Sequence, residues 1–103
     1  MTEAEWKMFR RLHATALERF SAKILADLQR IGADANKSSH ERYLEIWKLL
    51  KKRDDQMSRS FDDVRRSTAL QQLCIMYSLK LITEDDLATF SPKTEEGIRF
   101  LFR

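Results

Sequence analysis

The chain has 103 residues, with 19 basic and 16 acidic side chains for a formal net charge of +3, and it holds only two glycines and one proline. Average usage of about 7% Gly and 5% Pro would supply roughly a dozen. The deficit excludes a strand-rich fold with many tight turns, a flexible Gly- or Pro-rich linker and a Gly-rich phosphate loop. With 43% apolar and 34% charged residues, the composition suits amphipathic helices around one core, and residues 1–103 read as a single all-α domain.

In chain order, Thr2 with Glu5 forms a capping box. Trp6, Phe9, Ala16, Leu17, Phe20, Ile24, Leu28 and Ile31 then recur at helical spacing, with His13 on the same stripe, and predict a helix over 3–31. Gly32 reads as its left-handed stop. Residues 33–38 make a short polar connection, and Ser38 with Glu41 caps the next helix.

Tyr43, Trp47, Leu50, Met57, Phe61 and Val64 follow in steps of four and three, with Asp54 filling the gap. This seam predicts one continuous, at most bent, helix from about 39 to 81. A break near Ser58–Ser60, with Ser60 and Asp63 capping a fresh helix, is the alternative. The short connection pairs the two helices as a long antiparallel hairpin, Tyr43 beside Ile31 and Leu50 beside Ile24. Asp54 either fixes register inside the seam or faces water as the stripe drifts round the helix.

Residues 70–82 are apolar on nearly every side and need cover on several faces. Thr83 with Asp86 caps a short helix from Glu84 to about Thr89, and Ser91-Pro92 with Glu95 and Glu96 starts the last one. These two short C-terminal helices are expected to pack over the far end of the hairpin. Because the second long helix outruns the first, a second copy of the chain is expected to supply further cover, which makes the protein a homodimer. Helix content should be near four-fifths, against an average of about one-third.

Specific chemistry finds little to build on. His13 has no carboxylate or histidine three or four residues away, and no Glu-x-x-His or His-x-x-x-His spacing occurs, so no metal site has its scaffold. His13 reads as a half-buried helix residue and His40 as a surface one. Cys74 is alone, and its apolar surroundings suggest an inert thiol. No serine lies in a Gly-x-Ser-x-Gly turn. The pairs Asp54-Asp55, Asp62-Asp63 and Asp85-Asp86 point about 100° apart on a helix and do not converge. No enzyme, cofactor or metal is expected.

No apolar run approaches the roughly 18–20 residues that span a membrane. The acidic start, Met1-Thr2-Glu3-Ala4-Glu5, is unlike a signal peptide, so the expected location is cytoplasmic. What remains is the helix surface. The sequence supports a non-enzymatic protein–protein interaction or regulatory module, with Trp6, Phe9, Arg10, Phe100 and Phe102 as candidate contacts. The alternative is a nucleic-acid-binding protein using Lys48, Lys52, Arg59, Arg65 and Arg66, a stripe diluted by Asp55 and Asp62.

Overall fold

Three helix starts close as reciprocal capping boxes, each satisfying two backbone donors that the helix itself leaves open. Thr2 accepts from the Glu5 N–H at 3.2 Å and Glu5 accepts from the Thr2 N–H at 3.2 Å. Ser38 and Glu41 do the same at 3.1 and 3.2 Å, and Thr83 and Asp86 at 3.0 and 2.9 Å. A computed structural model describes residues 1–102, with five helices: α1 (Glu3–Gly32), α2 (Ser39–Phe61), α3 (Arg66–Ser78), α4 (Glu84–Ala88) and α5 (Pro92–Phe102). About four-fifths of the chain is helical, with no strand among the described residues. None of these helices is long and apolar enough to cross a membrane.

α1 and α2 run antiparallel. The Arg42 guanidinium donates to the Gly32 carbonyl at 2.7 Å at one end, and His13 Nε2 donates to the Phe61 carbonyl at 3.0 Å towards the other. The continuous helix expected over 39–81 is corrected here, because α2 ends at Phe61 and α3 begins at Arg66. Asp63 takes a left-handed φ of 58°, and the Thr68 hydroxyl accepts from the Arg65 N–H at 3.3 Å to start the new helix. A straight continuation would have carried the all-round apolar surface of α3 past the beginning of α1 into water. Reversal brings it back alongside α1: Arg66 pairs with Glu3 at the near end, and Arg19 donates to the Leu81 carbonyl at 2.8 Å at the far end.

α3 also stops earlier than its apolar run. The Leu81 N–H bonds the Met76 carbonyl at 2.9 Å and the Lys80 N–H bonds the Tyr77 carbonyl at 3.0 Å, the two crossed bonds of a Schellman stop. Lys80 holds the left-handed position at φ 60°. Gly32, by contrast, has no positive φ; α1 ends through Ala33 in a right-handed conformation, its N–H on the Gln29 carbonyl at 3.0 Å. The expected glycine stop is therefore an ordinary last helical residue.

From Leu81 the chain returns down α1. Asp86 meets Arg19 at 2.8 Å, and the Ser91 N–H reaches Glu5 Oε1 at 2.9 Å. α5 then lies on α3, with Cys74 Sγ 3.8 Å from the Ile98 carbonyl. The core between these layers is Phe9, Ala16, Phe20, Phe61, Leu73, Met76, Leu87, Phe90 and Ile98. Full burial of each large apolar side chain contributes about 1.5–3 kcal/mol.

Candidate functional site

The core occupies only part of the hairpin. Buried residues of α1 stop at Ile24, and those of α2 are Ser60 and Phe61 alone. Leu79, just past the end of α3, lies beside Phe20, Lys23 and Ala26 of α1 and Arg53 of α2. Past that level the two long helices project as a bare pair, in a molecule 52 Å long and 24 Å across.

On this projection the half-buried residues of α2 are Arg42, Glu45, Ile46, Leu49 and Arg53. α1 is the neighbour that covers them, and the Ile46 side chain packs near Gly32. The expected seam lies further round the helix. Tyr43 is 61% exposed, Trp47 53% and Leu50 47%, with Leu44 also exposed and Asp54 facing solvent. Drift explains the correction: a 3.5-residue stripe rotates by about 20° per heptad on a straight helix. Met57 and Phe61 at one end of the stripe turn inward while Tyr43, Trp47 and Leu50 at the other turn out.

The stripe has local order. Lys51 Nζ sits 5.1 Å from the centre of the Trp47 ring, and the His40 and Tyr43 rings stack with centres 6.3 Å apart. Leu25 of α1 is likewise exposed at the same end of the molecule.

The contacts expected from sequence are placed differently. Phe9 is fully buried, so it is a core residue and offers no contact surface. Trp6 is half-buried, stacked on Phe9 at 5.5 Å with the Arg66 guanidinium 5.5 Å from its ring. Arg10 is exposed. Phe100 is exposed on α5, and the Phe102 side chain lies outside the described residues. Among the basic groups, Lys48 and Lys52 are exposed. Arg59 pairs with Asp55 at 3.1 Å, Arg65 with Asp63 and Arg66 with Glu3.

The polar chemistry that exists holds helices together. Glu5 is buried, accepting from the Ser91 N–H at 2.9 Å and the Thr94 hydroxyl at 3.0 Å. Hydrogen bonding by Ser91, hydroxyl and backbone, with help from Thr2 and Thr94, holds its carboxyl at about 2 against the burial that opposes ionisation. A carboxylate at the start of α5 also opposes the helix dipole favourably. Burial pushes Asp86 up, but hydrogen bonds from the Thr83 backbone and from Arg19 outweigh it and leave the group below the usual range. Glu84 accepts from the Tyr77 hydroxyl at 2.6 Å and from Arg99 at 2.6 Å. The Tyr77 bond foremost, then that from Arg99, lowers its pKa.

His13 fills a gap between Phe9 and Phe61, 5.9 and 5.1 Å between ring centres. Burial raises the Cys74 pKa, which reduces its thiolate character. Among the described residues no three His, Cys, Asp or Glu side chains gather as a metal site. A cleft of about 630 Å³ beside Thr2, Glu5, Arg66 and Thr94 has as its carboxylate the already engaged Glu5. No family model matches the chain, and neither a curated protein nor a solved structure is similar to it.

Proposed function

We propose that the protein is a non-enzymatic helical interaction module that presents the Tyr43–Trp47–Leu50 stripe of its projecting hairpin to a protein partner. One observation supports the reading above the rest: two large aromatics and a leucine, each about half exposed or more, stand at four- and three-residue steps where no other element covers α2. Single exposed apolar side chains are ordinary on protein surfaces. A continuous stripe at this spacing is the shape that a second helix packs into, and Trp and Tyr are the residue types that dominate binding energy at interfaces.

The stripe replaces Phe9 and Trp6 as the contact set, with Arg10 and Phe100 outside it. Self-association is a second form of the reading, and it rests on the stripe rather than on unequal helix lengths. Nucleic-acid binding is less favoured, because Arg59, Arg65 and Arg66 are engaged by carboxylates.

The test compares proteins retained by the full chain with those retained by the Tyr43→Ala/Trp47→Ala variant, helicity being checked by circular dichroism. Loss of a retained species by about tenfold or more, the scale of truncating one interface anchor, is the expected result. Retention unaffected by both substitutions overturns the reading. A duplex DNA shift that survives them and disappears in Lys48→Glu/Lys52→Glu puts nucleic acid in its place.

A further inference from the structure

We infer that the chain has a second folded form, a dimer in which two copies exchange everything after α2 by opening the turn at 62–65 into helix. The turn itself carries the inference. Residues 62–65 contain no glycine and no proline, yet Asp63 holds a left-handed φ of 58°, where a side chain is strained. Arg65, at the N-cap of α3, carries only side-chain donors and closes none of that helix's open N–H groups. Among the described residues the buried side-chain acceptor without a donor is Gln72 Oε1, on the amide whose Nε2 is held by the Asp62 carbonyl of this same turn. The apolar steps Met57, Phe61 and Val64 meanwhile run straight into it at helical spacing. A continuous helix returns Asp63 to the right-handed region and gives the Asp62 carbonyl the Arg66 N–H.

Contacts across the turn are of a kind that two chains can share. Arg66 with Glu3, Arg19 with Asp86 and the Ser91 N–H with Glu5 each join a residue before 62 to one after 65. So does the core, where Phe9, Ala16, Phe20 and Phe61 meet Leu73, Met76, Leu87 and Phe90. α2 and α3 run antiparallel, Leu79 beside Arg53 at one end and Gln72 on Asp62 at the other. Opened, they form one helix over 39–78, about 60 Å long. Two such helices pair antiparallel, and α3 of each lies on α2 and α1 of the other, which remakes the same contacts between chains. With the interface common to both forms, the balance rests on the turn and on the cost of association. A short connection under strain tips that balance towards exchange.

The test refolds the full chain and its Asp63→Ala and Asp63→Gly variants from urea at micromolar and at millimolar concentration. Sedimentation then reads the dimer, and circular dichroism checks that each variant folds. Both variants lose the Asp63–Arg65 ion pair, so they differ in backbone preference alone: alanine favours the continuous helix, glycine the left-handed turn. The wild-type chain is expected to show a dimer at the higher concentration. Each dimer opens two turns, so its dissociation constant is expected to be about tenfold or more lower for Asp63→Ala than for Asp63→Gly. A second measurement identifies the exchange. Chains carrying Glu3→Cys and chains carrying Arg66→Cys, both also Cys74→Ser, are refolded together and treated with a short bis-maleimide. Glu3 and Arg66 pair on the surface, so neither substitution touches the core. The dimer fraction is expected to hold the two different chains linked through these positions, because α3 of one lies on α1 of the other.

A chain that stays monomeric at millimolar concentration in all three forms overturns the inference. So does a dimer whose affinity is indifferent to residue 63, or one that yields no link between positions 3 and 66. A dimer that Trp47→Ala dissolves, with no such link, overturns it too and assigns self-association to the exposed stripe of α2.

Discussion

Asp63 and Lys80 occupy the two left-handed backbone positions among the described non-glycine residues, while neither glycine has a positive φ. A side chain in the left-handed region costs about 1 kcal/mol relative to glycine. Lys80→Gly should accordingly raise stability by about 0.5–1 kcal/mol, read as a higher denaturant midpoint. Gly97 lies inside α5, and a Cβ there would meet Leu70 at 3.6 Å, an ordinary van der Waals contact. Gly97→Ala should also stabilise, by about 0.5–1 kcal/mol from helix propensity.

Glu5 gives the acid side of the stability curve a direction. Its folded pKa of about 2 lies below the ordinary 4.5, so the stabilising contribution is complete above about pH 4.5 and drains away as the pH falls towards 2. Glu5→Gln should lose about 1.5–3 kcal/mol at neutral pH, the scale of hydrogen bonds to a charged group. Its stability should also vary less between pH 5 and 2, as urea melts across that range would read.

At the level of helices, capping residues were the most legible feature of the chain. Thr2/Glu5, Ser38/Glu41 and Thr83/Asp86 mark starts through contacts within four residues, which tertiary packing does not need to assist. The stops were much less legible. Lys80 and Asp63 carry no stop signal of the kind glycine supplies, so both ends of α3 follow from burial of its apolar faces against α1 and α5. His13 and Phe61 tie α1 to the last turn of α2. Phe61→Ala should cost about 3–5 kcal/mol, whereas Tyr43→Ala on the exposed part of the same helix should stay within about 0.5 kcal/mol. Amide exchange should show the same division: slow along α1 from Glu5 to Ile24 and in α3, faster through the projecting ends of α1 and α2, where few apolar side chains protect the backbone.

For the whole molecule, the buried core and the proposed contact stripe sit on different parts of one hairpin. Trp47→Ala is expected to leave the thermal midpoint nearly unchanged while weakening retention of a partner; equal loss of both in a calorimetric melt and a binding titration would make Trp47 a folding residue instead. Helical class and the positions of most helix starts were readable from residue order, because capping and amphipathic periodicity act over a few residues. Residue order offered a break near Ser58–Ser60 only as an alternative to one continuous helix, and it placed neither the reversal at 62–65 nor the outward turn of Tyr43, Trp47 and Leu50. The reversal depends on which surfaces can cover α3. The outward turn depends on a slow rotation of the stripe relative to α1, accumulated over five turns of helix. Glycine scarcity narrowed the protein to helix surfaces, and packing between helices chose which surface was left uncovered.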